Sequence, residues 1–291
     1  MIETFTRPSR YLPAVLVLFV AAGNGYAQEA SLSGEASHTL RPDVAVDGAP
    51  AGAEVGSSTV VAAVAARFSI GQRTFLTPGI SYQGHYLRFS SMPMFDGADK
   101  LHSVESSLML LHMFNQKWAF MGRAAVGLSG DFASLDRHLG FSALGVAVRR
   151  FSPRFALGLG ALVNYGDDEW LPLPVARVDW QVSDHVFVDA LLPAHAKLLY
   201  RPGDRWEAGA VVQGEGGRWA IEGEMEDRTI NYISIDAGAL FGLRMGGDTW
   251  FNIMGGWNAY RRYELEGGAG DGDYDPDPGF VLRAGIELRP R

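Results

Sequence analysis

Between residues 115 and 165, apolar and polar positions alternate with a period of two, the mark of strands whose two faces meet different surroundings. In WAFMGRAAVGLSGD, Trp118, Phe120, Gly122, Ala124, Val126 and Leu128 share one face. Ala119, Met121, Arg123, Ala125, Gly127 and Ser129 share the other. In FALGLGALVNY, Phe155, Leu157, Leu159, Ala161, Val163 and Tyr165 fall together, opposite Ala156, Gly158, Gly160, Leu162 and Asn164. A soluble sandwich buries its bulk and shows polar groups to water. Here one face is bulky and the other small or polar, which suits a barrel with its bulk toward lipid and a narrow interior.

The same alternation predicts strands at 59–69, 74–90, 104–114, 174–181, 186–192, 197–201, 205–213, 229–244, 249–264 and 279–289, with weaker ones at 29–40 and 218–224. The phase of the second of these is uncertain beyond Gly84, where a bulge would fit. Pro193 belongs at an end, an edge or a bulge. Residues 41–57, 91–101, 166–171 and 265–278 read as loops from their turn-forming composition. Short turns at 70–73, 115–117 and 152–154 alternate with long connections at 91–102, 131–138 and 166–172. The fold predicted is all-β: an antiparallel up-and-down transmembrane barrel of about 12–14 strands, with short periplasmic turns and longer external loops.

Two further patterns agree. Aromatic residues bracket the short turns, as Phe114/Trp118, Phe151/Phe155, Trp180/Phe187 and Trp250/Phe251, which predicts an interfacial girdle. Charges sit opposite the apolar positions, and an arginine facing lipid at the midplane costs about 2–4 kcal/mol. The charged face is therefore the interior, and Arg67, Arg123, Arg177, Asp179, Glu207, Glu222, Asp236, Arg244, Arg283 and Glu287 are expected to line the lumen. Inward glycines, namely Gly158, Gly160, Gly209, Gly238, Gly242 and Gly285, suggest room inside.

Composition adds the compartment. Residues 1–27 have the form of a secretory signal, with Arg7 and Arg10 ahead of the apolar run 11–22 and Gly25-Tyr26-Ala27 at the cleavage site. Cleavage before Gln28 leaves 28–291 as a single barrel domain. After that segment no apolar run reaches the roughly 18 residues of a spanning helix. Absence of cysteine removes disulfides and thiolate metal sites. A net charge of −8 at pH 7 gives no footing for nucleic acid.

With these features the chain resembles an uncharacterised family of bacterial outer-membrane β-barrel proteins known only as a domain of unknown function. The likeness runs from about 104 to 289. It rests on the two Gly-rich hairpins, LPLPVARVDWQVSD (171–184), the Pro193 strand with Tyr200, and the final hairpin with Gly256, Trp257 and Arg262. The resemblance brings no catalytic residues. Membrane barrels usually end in an aromatic residue read by the assembly machinery, whereas this sequence ends Leu288-Arg289-Pro290-Arg291.

Candidate chemistry is sparse. Ser81 and His85 share a face but stand roughly 13 Å apart along one strand. His102 and Ser103 point to opposite faces, and His138 and Ser142 lie four apart. Asp271, Asp273, Asp275 and Asp277 alternate in DGDYDPDP, which lacks the later bidentate glutamate of a calcium loop and reads as a solvated external loop. No catalytic, cofactor or metal residues are assigned. The expected function is a non-enzymatic narrow pore or envelope structural barrel of the outer membrane, with outer-membrane lipid and the barrel-assembly machinery as partners. A membrane-embedded lipid hydrolase or acyltransferase, and a soluble periplasmic ligand-binding protein, are the alternatives.

Overall fold

The computed structural model describes residues 31–95, 98–132, 139–166, 169–221, 228–267 and 271–290. The 1–27 leader, Glu222 and His138 lie outside the described residues. The strands are β1 (Ser31–Asp47), β2 (Glu54–Ile70), β3 (Thr74–Ser90), β4 (Lys100–Met113), β5 (Trp118–Gly130), β6 (Leu139–Ser152), β7 (Phe155–Gly166) and β8 (Glu169–Gln181). They continue as β9 (Val186–Leu192), β10 (His195–Tyr200), β11 (Trp206–Ile221), β12 (Arg228–Gly246), β13 (Thr249–Glu266), β14 (Gly272–Pro276) and β15 (Gly279–Leu288).

All fifteen belong to one sheet. From β1 to β13 each strand pairs antiparallel with the next, β13 pairs with β15, and β15 returns to β1. Leaving out β14, a short strand lodged between β13 and β1, fourteen strands close into an up-and-down barrel. Closure pairs the first strand with the last, so the ring has no free terminal strand, which an open sheet in contact with lipid would have.

The register fixes the facing. Thr39, Thr59, His85 and Leu101 lie side by side across β1 to β4, and all four are buried. On the opposite face of the wall Leu40, Ile80, Leu108, Val126, Leu159 and Phe280 are exposed on the outside. The wall is thus apolar outward, as the alternation predicts. At the turn end, Trp118, Phe151, Trp180, Tyr200 and Trp206 stand outward, with Phe155 and Trp180 at 6.0 Å and Tyr200 and Trp206 at 5.9 Å. Phe141, Trp257, Tyr260 and Phe280 are exposed nearer the loop end. Two girdle residues are corrected by the register: Phe187 and Trp250 face inward, under the guanidinium groups of Arg201 (5.2 Å) and Arg289 (5.0 Å).

Several loops are shorter than the composition implies. The 41–57 loop shrinks to 48–53, because β1 runs on through a register shift between Arg41 and Val44. A run of Gly, Ala, Pro and Asp is strand here since both neighbours supply a ladder. No shift interrupts β3 near Gly84; the irregularity lies in β1 instead. The 166–171 loop gives way to β8, which begins at Glu169 and includes Pro172 and Pro174. In β8 the N–H of Gln181 reaches Arg154 O toward β7, and that of Val182 reaches Val186 O toward β9. Even-numbered positions therefore point away from β7, so both prolines occupy sites where the β7 ladder needs no donor.

The inward glycines also take a different meaning. A Cβ at Gly160 would lie 1.9 Å from Gly145 O, and one at Gly209 would lie 2.0 Å from Leu198 O. Gly160 and Gly209 permit close approach of neighbouring backbones, while the space beside Gly158 and Gly242 is taken up by the side chains of Val146 and of Asn252 and Glu207.

The wall is uneven. β9 and β10 have 7 and 6 residues, between β8 with 13 and β11 with 16. Beyond the β9–β10 hairpin, β11 leans across to β5, where Ala220 pairs with Gly130 in parallel and Ser129 Oγ donates to Arg218 O at 2.8 Å. Around this contact a buried apolar core gathers at the loop end, built from residues such as Val55, Leu87, Phe95, Leu101, Trp219 and Leu265. A 14-strand ring is wide enough to leave space inside; the inward lean of β11 and this core fill its upper half.

Candidate functional site

The interior divides into a sealed loop-end half and a polar turn-end half. At the boundary Arg41 of β1 reaches across the barrel. Its guanidinium donates to Asp236 at 2.6 Å and to Glu215 at 2.6 Å, while Gln83 Nε2 donates to Glu215 at 3.0 Å. Asn258 Nδ2 donates to Asp236 at 2.7 Å and to Ser234 Oγ at 2.8 Å. Arg41 and Asp236 are each 1% exposed. A buried charge survives only when paired and hydrogen-bonded, and here three walls of the barrel supply the partners.

An aromatic layer seals this strut from the loop side. His85 stacks on Trp219 with ring centres 5.6 Å apart and meets Tyr232 at 4.7 Å. Tyr232 and Tyr263 lie at 5.1 Å, and Phe95 meets Tyr274 at 4.9 Å. His85 is held by Thr59 Oγ1 at 2.7 Å, and Trp219 Nε1 donates to Ser103 Oγ at 2.9 Å. Strut and layer together close the axial path.

Toward the turns the interior is polar and partly exposed. Arg283 pairs with Glu35 at 2.8 Å and donates to Gln213 at 3.1 Å. Glu207 is fully enclosed between Arg201 (2.6 Å) and Arg289 (2.7 Å), and Arg289 also holds Glu287 at 2.7 Å. Arg177 pairs with Asp179 at 2.7 Å, Asp189 stands 3.5 Å from His195, and Arg123 pairs with Glu105. Cavities of about 160 and about 280 Å³ adjoin one another here, sharing Glu35 and Glu287 in their linings. Positive and negative groups are interleaved, so this half has no field of one sign.

The residues singled out from the sequence thus fall into groups. Glu207, Arg283 and Glu287 meet through Arg289 and the smaller cavity. Arg177 with Asp179, and Arg123 with Glu105, are separate pairs. Asp236 belongs to the strut. Arg67 stands at the turn-end rim with its guanidinium 4.0 Å from the Phe75 ring centre, and Arg244 is turned to Gly247 O (2.5 Å) and Asp248 (3.5 Å). The sequence reading missed Arg41, Glu215 and Asn258. Arg41 sat at the start of a supposed loop, and a strand phase carried through it would have shown it inward.

Of the serine and histidine candidates, Ser81 lines the larger cavity while His85 lies in the aromatic layer. His102 Nδ1 stands 2.9 Å from Tyr82 OH, whereas Ser103 turns inward to Trp219. A pair unseen in the sequence does form on the outer face: His38 Nε2 and Ser58 Oγ lie 2.6 Å apart, from adjacent strands. In the acidic run, Asp273 and Asp275 bind Arg262 at 3.1 and 2.8 Å. Among the described residues no group of three or more His, Asp or Glu is arranged to hold a metal ion.

A family described as Domain of unknown function (DUF6268) matches residues 70–276. No curated protein matches the chain. Among solved structures, the Pseudomonas putida toluene transporter TodX is 10% identical over 88% of this chain and 89% of that one, with a TM-score of 0.42. The KdgM porin is 5% identical over 89% and 99%, with a TM-score of 0.36. The translocator domain of the autotransporter NalP from Neisseria meningitidis is 12% identical over 92% and 90%, with a TM-score of 0.35.

Proposed function

The chain belongs to the family described as Domain of unknown function (DUF6268), and from that premise we propose that it is an integral outer-membrane barrel, exported by a cleaved leader, that serves as a narrow channel closed along its axis. One observation carries the reading: inside a ring of fourteen strands with an apolar exterior, Arg41 is bonded across the lumen to Asp236 and Glu215 beneath an aromatic seal. A lipid-facing wall makes a place in the membrane the favourable one, since water would meet an apolar belt far larger than a soluble protein tolerates. The interleaved charges of the turn-end half discriminate little between anions and cations.

Purified protein in planar bilayers tests this. The unmodified chain should give a small, weakly selective conductance or none. Replacing Trp219 and Tyr232 together by alanine should raise the conductance, because it removes two of the largest rings of the seal. A large, strongly selective conductance from the unmodified protein would sink the reading.

A second reading, a membrane-embedded lipid hydrolase, is favoured by the His38–Ser58 pair on the outer face. A serine nucleophile needs such a base, and also a third group that orients the histidine. Lipid release by the purified barrel, lost in Ser58→Ala, would move this reading ahead of the channel.

A further inference from the structure

We propose that the barrel interior opens sideways, between β8 and β11 beyond the β9–β10 hairpin, and that this opening admits small, mainly apolar molecules from the outer leaflet into the polar turn-end half. The proposal rests on the channel reading above and supplies its route and substrate class.

The opening follows from unequal strand lengths. β8 last pairs with β9 at Ala176, and its residues 169–175 continue beyond it. Seven residues span on the order of 20 Å along a strand. On the far side β11 continues past Gln213, which pairs with His195 at the start of β10, for a comparable length. Three strand spacings separate β8 from β11, about 14 Å at normal spacing. Among the described residues, axial entry from the loop end is closed by the strut, the aromatic seal and the β11–β5 contact, which leaves the side as the route from the outer face.

An accidental gap would leave backbone donors facing lipid, where each costs several kcal/mol. This rim is finished differently. Trp170, Pro172 and Pro174 occupy the three β8 positions that point toward the gap, and the two prolines have no N–H to strand. On the β11 side, Gly214 donates to Ala194 O at 2.7 Å, Arg218 O accepts from Ser129, and Ala220 pairs with Gly130. On each edge some of the backbone groups that face the gap are thereby removed or paired.

The chemistry of the lining names the ligand class. The inner face of the wall beside the gap is largely aliphatic, carrying Leu144, Leu162 and Leu173 in register across β6 to β8 with Leu171 and Val175 on β8, while Ser142 and Asn164 stand level with Leu171. Leu171 is 54% exposed although its register places it on the inner face, which puts its side chain at the mouth. The sill below is apolar outside as well, with Leu192, Leu198 and Val212 exposed. Leu173 and Val175 lie turnward of Tyr165, whose ring stands 6.4 Å from Phe141 in the loop-end aromatic tier, so the gap reaches the level of the outer leaflet. An apolar molecule partitions into that leaflet and passes from lipid to aliphatic wall without meeting water. A hydrated ion finds no such path.

The chain has no cysteine, so a single introduced thiol can be blocked selectively. The probe is N-phenyl-1-naphthylamine, an apolar dye that an intact outer membrane excludes. Cells producing Leu173→Cys should take it up several-fold faster than cells without the protein. A bulky maleimide on that thiol should return uptake to background, whereas the same label on Asn115→Cys, at a turn, should leave it unchanged. Ala194→Cys on the hairpin tip repeats the test should Leu173→Cys fail to assemble. Background uptake with the barrel folded in the outer membrane, or uptake indifferent to the label, overturns the side opening and leaves the channel reading standing. A barrel absent from the outer-membrane fraction overturns both.

Discussion

Arg41 and Asp236 are 195 positions apart in the chain, yet their side chains meet inside the barrel at 2.6 Å, both almost wholly enclosed. The pair joins the first strand of the ring to its twelfth, across the space that a wide barrel leaves. Removing one partner strands a buried charge, whereas removing both leaves only a polar gap filled by apolar groups. Arg41→Leu should therefore cost about 3–5 kcal/mol. The double variant Arg41→Leu/Asp236→Leu should lose less, because its remaining carboxylate, Glu215, is one-fifth exposed and keeps Gln83. Urea unfolding in detergent measures these two and Asp236→Leu; a loss in the double variant equal to the sum of the two single losses would mean the strut carries no net coupling.

Facing gives a second expectation. Leu159 is 65% exposed on the outer wall, so Leu159→Arg should place a charge in lipid and cost about 2–4 kcal/mol. Arg123 faces the partly exposed interior and pairs with Glu105, and Arg123→Leu should be tolerated better. Folded yield, read from heat-shifted gel mobility, ranks them. The reverse order would show the strand phase to be wrong.

Two glycines separate close approach from conformational freedom. A methyl group at Gly209 would meet Leu198 O at 2.0 Å, while Gly203 has nothing within 4 Å. Gly209→Ala should therefore destabilise by about 1–3 kcal/mol, the range for overpacking. Gly203→Ala should cost little. Comparing the two unfolding midpoints at unchanged m-value decides it.

Processing is checked by mass. The envelope form should begin at Gln28, because the small-residue pattern ends at Ala27. An intact mass that includes residues 1–27 would contradict the exported-barrel reading.

Much of the wall was legible in the sequence because the period of two is local: a strand shows its faces through its own residues, whatever it pairs with. Phe155 to Tyr165, or Phe280 to Leu288, declares an apolar and a polar side without knowledge of a partner. The short turns and the strand count followed from the same local signals. Strand ends were harder. Arg41 and Pro172 look like loop residues alone, and they are strand because a neighbour offers a ladder or because the missing N–H faces a gap. Nothing local marks the meeting of Arg41 with Asp236 and Glu215, the stacking of His85 on Trp219, or the lean of β11 onto β5. Those contacts exist only once the ring has closed, because closure sets which distant strands face one another across the lumen and how far the wall must bend to fill it.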